Sequence, residues 1–104
     1  MILHTVLCHL ADGYDPAELR DVMAGLGALQ VEGFLWFKHG INVDAEGKTP
    51  QYGYGFVCAF ADRQALDRYA MDDGHRALGA RLVALCHGGA DGILVSDIQT
   101  GDGA

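Results

Sequence analysis

The stretch DRYAMDDGHRALG contains a tyrosine and a histidine, Tyr69 and His75, six positions apart. An imidazole can take a proton from a carbon next to a carbonyl, and a phenol can donate a hydrogen bond to the oxygen on which charge then builds. The acidic, glycine-containing break between them is also typical of the end of one helix and the start of the next. The pattern therefore allows two interpretations, an acid/base site or a join between two helices.

The position of His75 in the chain bears on its protonation. His75 follows Gly74 and precedes leucines at helical spacing, which predicts that it lies in the first turn of a helix. The positive end of the helix dipole disfavours an imidazolium there and leaves the neutral base that proton abstraction needs. The alternative is structural: the His75 ring covers the helix end, and Tyr69 belongs to the core.

Further candidate residues lie on the first and last predicted strands. His4 alternates with Val6 and Cys8, so these three side chains share one strand face. We expect Val6 and Cys8 to line any pocket that His4 faces; the alternative is that His4 is a hydrogen-bonded core residue. Asp97 either orients an imidazole or is a solvent-exposed residue where one face of the last strand ends.

Strands and helices in a simple order are predicted to position these residues. The first helix follows Asp15 and Pro16, a capping residue and a proline suited to the first turn. Asp62 is expected to cap a second helix, which restarts after Asp73-Gly74. The strands are predicted over residues 2–10, 31–40, 51–60 and 92–99, and the first helix over 16–29. The resulting β-α-β-β-α-β order indicates an α+β, ferredoxin-like fold: a four-stranded antiparallel sheet with helices on one face.

The predicted strands are apolar on both faces. One face packs on the helices, while the other would leave an apolar patch wider than a soluble monomer tolerates. Phe34 and Trp36, two positions apart, are expected to share a face, as are Tyr54 and Phe56. The pattern predicts a homodimer whose interface is sheet on sheet.

Composition limits the partners. The chain has 104 residues, enough for one domain, and its formal net charge of −7 disfavours nucleic acids and anionic membranes. No apolar run is long enough to span a bilayer, and the N-terminus lacks the features of a secretory signal, so we expect a cytoplasmic protein. Three cysteines lie within apolar runs and are predicted to be buried thiols, and no spacing typical of a metal site occurs.

Three segments, taken in order, resemble one known family. MILHTVLCHL, the block QYGYGFVCAFADRQALDRYAMDDGHRAL and GILVSDIQ are similar to the first strand, a strand-plus-helix segment and the last strand of stress-responsive A/B barrel (Dabb) domains. The family's middle segment also has a tyrosine six residues before a histidine, although Asp73-Gly74 here replaces a His-Pro pair. The resemblance covers residues 1–99 and leaves 100–104 as a predicted flexible tail. It implies a homodimer in which two sheets close into an α+β barrel.

The resemblance also implies a pocket between the concave sheet face and the helices of each subunit. In the family's olivetolic acid cyclase branch, such a pocket closes a linear polyketide by an intramolecular aldol condensation. By this resemblance His75 is the acid/base and Tyr69 binds or polarises the substrate, while His4, Tyr54 and Asp97 match further pocket positions.

From the residues and the resemblance together we expect a small apolar or aromatic ligand and acid/base chemistry on a carbonyl compound without a cofactor, of the cyclase, lyase or isomerase type. Two alternatives stay open. One is a non-catalytic stress-response protein that binds a ligand or partner, and the other is a cofactor-free monooxygenase on the same scaffold.

Overall fold

The computed structural model describes residues 1–101, so residues 102–104 of the predicted tail lie outside the described part. The observed order is β-α-β-β-α-α-β, which confirms the predicted fold class and divides the second helical region into two helices. The elements are β1 (Ile2–Cys8), α1 (Pro16–Gly27), β2 (Phe34–Ile41), β3 (Tyr54–Phe60), α2 (Arg63–Met71), α3 (Asp73–Ala84) and β4 (Ile93–Gln99), with one turn of 3-10 helix at Gly89–Gly92. Within residues 1–101, no helix is long and apolar enough to cross a membrane.

The four strands form one antiparallel sheet in the order β2-β3-β1-β4. The central strand β1 pairs with both β3 and β4, and its His4 lies between Cys58 on one side and Asp97 on the other. Because side chains alternate along a strand, these three residues project from the same face of the sheet. That face is covered by the helices.

The hydrophobic core fills the space between this face and the helices. Periodic apolar residues of α1 pack there because they recur at helical spacing, as predicted. The largest fully buried side chains of the core are those of Tyr69, Phe60, Met23, Leu26, Val22, Cys8 and Cys58. All three cysteines of the chain are buried free thiols, as the sequence predicted.

The expectation that Phe34 and Trp36 share a face is wrong. A β-bulge shifts the register between these two residues, so Phe34 pairs with Phe60 and Trp36 with Ala59. Phe34 stacks on Phe60 in the core, with ring centroids 5.5 Å apart, whereas Trp36 is 40% exposed on the opposite face. The extra residue in the bulge breaks the period of two on which the expectation rested. Tyr54 and Phe56 do share the helix-side face.

The face turned away from the helices is here called the open sheet face. Large apolar side chains are exposed at both edges of this face, with Trp36 on β2 at 40% exposure and Leu94 and Ile98 on β4 at 48% and 57%. Apart from the small residues Gly40, Gly55 and Ala59, its members on the four strands are Leu3, Thr5, Leu7, Trp36, Lys38, Val57, Leu94, Ser96 and Ile98. The chain thus presents the wide apolar patch that the sequence predicted.

The stretch between Tyr69 and His75 is a join between helices. Asp72 has an extended backbone and ends α2, and its carboxylate accepts a hydrogen bond of 2.9 Å from the backbone N–H of His75. Asp72 therefore caps α3 at its N-terminus, which fixes the turn without a proline. His75 lies in the first turn of α3, as predicted.

Candidate functional site

Two adjoining cavities lie between the sheet and helices α2 and α3. The larger has a volume of about 510 Å³ and the smaller about 370 Å³, and both are lined by His4, Tyr69 and His75. Such volumes are in the range of small-molecule sites. The fold therefore brings the three principal sequence candidates to one place, where a ligand could contact them together.

His4 is held by a carboxylate on the neighbouring strand. Its Nδ1 lies 2.5 Å from Oδ1 of Asp97, its cross-strand partner in the β1–β4 register. The His4 side chain is 12% exposed and that of Asp97 39%, so the pair lies at the edge of the smaller cavity rather than in the deep core. A carboxylate at Nδ1 holds the ring proton there, which leaves Nε2 with a free lone pair.

The surroundings of His75 favour the neutral form of its imidazole. Burial lowers its pKa below the usual value, and a positive charge on the nearby His4, when that ring is protonated, lowers it further, against smaller opposing effects of backbone carbonyls and Asp72. Its ring centroid is 3.9 Å from that of Tyr69. Its buried Nδ1 has no hydrogen-bond partner among residues 1–101. The neutral form expected from the helix terminus is thus favoured mainly by desolvation.

Tyr69 contributes its ring to the cavity wall, but its hydroxyl is buried. The residue is only 1% exposed, and the hydroxyl lies beside the Cys58 thiol without a hydrogen bond of good geometry within the described chain. Burial raises the pKa of Tyr69, and the adjacent Cys58 thiol raises it further, so the phenol stays protonated. Its ring also contacts those of His4 and Phe60, at centroid distances of 5.7 and 4.9 Å. Tyr69 thus packs against both cavity histidines.

The remaining predicted ligand residues are divided. Val6 lines the larger cavity. Cys8 and Tyr54 line neither cavity. Cys8 is fully buried beside the thiol of Cys86, and this burial raises its pKa to about 12. The Tyr54 hydroxyl is 2.6 Å from Nδ1 of His39 on β2. A shared strand face therefore does not amount to a shared pocket, because β1 is longer than the cavity.

Other residues of the larger cavity were missed by the sequence reasoning. Arg76, Gly79 and Val83 of α3 line it, together with Ile93 and Val95 of β4. The helical residues recur at intervals of three and four after the join, which is the spacing of one helix face. That spacing was the available signal, but only the packing shows that this face borders a cavity.

One protein-family model matches almost the whole chain. The stress-responsive A/B barrel (Dabb) domain model matches residues 2–99. The chain belongs to this family. No curated protein matches the chain significantly in sequence.

Solved structures similar to this Dabb domain include a dimeric ferredoxin-like protein of unknown function from Jannaschia sp. CCS1. That protein is 40% identical with a TM-score of 0.89, and the match covers 95% of this chain and 98% of the other. A hydroxynitrile lyase from Passiflora edulis is 12% identical, with a TM-score of 0.80 and coverage of 97% and 94%. SnoaB, a cofactor-independent oxygenase from Streptomyces nogalater, is 16% identical, with a TM-score of 0.73 and coverage of 97% and 93%. At such low identity, the last two show a shared fold alone.

Proposed function

We propose that this Dabb domain forms a homodimer through its open sheet face and binds a small apolar or aromatic carbonyl compound in its two adjoining cavities. It transfers a proton at the carbon next to the carbonyl without a cofactor, as a cyclase, lyase or isomerase of this kind requires. The observation that carries the proposal is that His75 and His4, which Asp97 holds, line the same cavities. The dimeric description of the 40% identical structure supports the homodimer.

In this proposal His4 is the base. Its Nε2 takes a proton from the carbon next to the carbonyl, and the Asp97 carboxylate at Nδ1 stabilises the imidazolium that forms. His75, which is neutral, donates a hydrogen bond to the carbonyl oxygen as that oxygen gains negative charge. The base role thereby moves from His75, where the resemblance placed it, to the histidine that has a carboxylate partner.

The proton is then returned. In an isomerisation the enolate is conjugated with a carbon–carbon double bond, and His4 gives the proton back to the far carbon of this dienolate. In an intramolecular aldol reaction the enolate carbon attacks a second carbonyl carbon, and His4 gives its proton to the alkoxide oxygen that forms, which yields the alcohol. Tyr69 acts as a positioning residue, since its ring packs against that of His75 while its hydroxyl is buried.

Deuterium exchange tests this proposal without knowledge of the natural substrate. The probe is 2-acetylnaphthalene, a neutral aromatic ketone whose methyl protons exchange in deuterium oxide through the enolate, followed by proton NMR. We expect the protein to accelerate exchange, and His4→Asn and Asp97→Asn each to lower the acceleration by about 100-fold, the low end of the usual effect of a general base. The matched control is His87→Gln, because His87 lines neither cavity.

Three outcomes contradict the proposal. Exchange that is unchanged in both variants would remove His4 and Asp97 from the chemistry. Binding of the ketone with no acceleration of exchange would instead support the non-catalytic ligand-binding protein. Oxygen consumption with a hydroxyaromatic compound would support the monooxygenase.

A further inference from the structure

The larger cavity differs in charge from the rest of the protein. The chain has 14 acidic and 7 basic residues. Among the described residues that line the larger cavity, Arg76 is the one permanently charged side chain, and no carboxylate lines it. The other lining residues are apolar or small, apart from the two histidines and Tyr69. A cation beside an apolar cavity favours a ligand that has an anionic group as well as an apolar body.

Arg76 also differs from the other arginines of helices α2 and α3. Those three bind partners within the chain: Arg63 binds Asp67, Arg68 binds the carbonyl of Glu32, and Arg81 binds Glu18 and Asp21. The Arg76 guanidinium forms no hydrogen bond or ion pair with any residue from 1 to 101. Its five N–H donors are therefore available to a ligand, and their planar arrangement suits a carboxylate.

An independent feature of the same cavity is the glycine one turn beyond Arg76. Gly79 lies in the interior of α3, where glycine weakens a helix relative to alanine. In α1 the glycines have a packing reason, because a Cβ at Gly25 would lie 2.9 Å from Leu78 and one at Gly27 3.2 Å from Phe37. A Cβ at Gly79 would meet nothing within 4 Å, so neighbouring side chains do not explain this glycine. The space above it is part of the cavity.

We propose that the larger cavity binds an aromatic carboxylate, with its carboxylate at Arg76 and its apolar body lying across Gly79. This inference rests on the proposed function and specifies its substrate class as an aromatic compound with both a carboxylate and a ketone. The ketone of such a ligand is then within the cavity that His4 and His75 line together with Arg76. Arg76 binds the carboxylate of the ligand, and Gly79 leaves space for its apolar body. Neither residue takes part in proton transfer.

The first test compares two probes of nearly identical shape, 2-naphthoate and its neutral amide, 2-naphthamide, by isothermal titration. We expect the protein to prefer the naphthoate, and Arg76→Gln to weaken naphthoate binding about tenfold, as the loss of a charge-assisted hydrogen bond does. The affinity for naphthamide should change by less than about twofold. Arg20→Gln is the matched control, because Arg20 lies on α1 and lines neither cavity. Its substitution changes the net charge by the same amount.

The second test uses Gly79→Ala. The added methyl group should strengthen α3 and raise the Tm by a few degrees, since it meets no neighbour. At the same time it should weaken binding of both naphthyl probes several-fold, because it occupies space that the aromatic body needs. A stabilised variant that has lost affinity for both probes is the expected result.

Equal affinity for the two probes, or unchanged naphthoate binding in Arg76→Gln, would overturn the carboxylate assignment. Unchanged binding of both probes in Gly79→Ala would overturn the placement of the aromatic body. These failures are distinct from failure of the proposed function, because naphthoate binding involves no proton transfer and 2-acetylnaphthalene, the probe of deuterium exchange, has no carboxylate.

Discussion

Replacing Tyr69 with phenylalanine removes a hydroxyl that is buried without a hydrogen-bond partner in the described chain. In the folded protein this hydroxyl has lost its water, and burial is the main cause of its raised pKa. A buried unsatisfied polar group costs about 1–3 kcal/mol relative to a satisfied one. The phenylalanine ring fills the same space and keeps the contacts with His75 and Phe60.

We therefore expect Tyr69→Phe to raise the free energy of unfolding by about 1 kcal/mol, the lower end of that cost. For a domain of this size such a gain corresponds to a rise in Tm of about 5 °C. Urea denaturation monitored by circular dichroism measures the free energy, and differential scanning calorimetry measures the Tm. An unchanged m-value would show that the effect lies in stability rather than in the compactness of the unfolded chain.

Tyr54→Phe is the matched control, because it removes a hydroxyl that has a partner. The Tyr54 hydroxyl is 2.6 Å from Nδ1 of His39, so its loss should lower the free energy of unfolding by about 1 kcal/mol. The two substitutions make the same chemical change and are expected to have opposite effects. A loss of stability in Tyr69→Phe as large as that in Tyr54→Phe would refute the reasoning, since the Tyr69 hydroxyl would then have a partner.

The same position separates two roles of Tyr69 in catalysis. If the ring positions His75, Tyr69→Leu should lower the deuterium exchange of 2-acetylnaphthalene much more than Tyr69→Phe does, because only the leucine variant lacks the aromatic ring that contacts His75. If the hydroxyl polarises the substrate, as the sequence predicted, the two variants should lose activity equally. Equal loss would return Tyr69 to the catalytic residues.

Two further predictions concern pH and assembly. Burial lowers the pKa of His75 below its usual 6.5, so on acidification the unfolded chain binds a proton that the native state excludes. The contribution of His75 to stability should be full above about pH 6.5 and fall as the pH drops below it. Urea denaturation of His75→Gln should therefore show a smaller loss of stability between about pH 7.5 and about pH 5 than that of the wild type. Ile98→Asp places a charge on the open sheet face, and native mass spectrometry at micromolar concentration should then show the 11.1 kDa monomer in place of the dimer. Met71→Asp, at a side chain 71% exposed at the end of α2, should leave the dimer intact, and a wild-type protein that is itself monomeric would contradict the proposed interface.

Local features of the chain were predictable because their causes are local. Asp15 and Asp62 cap helices with hydrogen bonds to backbone N–H groups two and three residues further on, and Asp72 does the same for α3. The join before His75 is settled within these few residues. The β-bulge after Phe34 was not predictable in the same way, because nothing in the alternation of FLWF distinguishes a regular strand from one with an extra residue.

The sequence indicated the principal residues of the candidate site but not the extent of the cavities. His4, Tyr69, His75 and Asp97 do meet around the cavities, while Cys8 lies outside them. Residue type and strand alternation indicate which way a side chain projects. They do not show where along the strand the helices leave the sheet uncovered, since that depends on how whole elements pack.

By itself the sequence determined the strands and helices, the apolar character of both sheet faces, and the residue types capable of acid/base chemistry. It did so because periodicity, capping and composition act over a few neighbouring residues. Only the tertiary structure decided that His4 and Asp97, 93 positions apart, are hydrogen-bonded across adjacent strands. It also decided that His75 is desolvated and that the Tyr69 hydroxyl is enclosed. Strand register and desolvation are set by contacts between distant segments, and these exist only once the chain has folded.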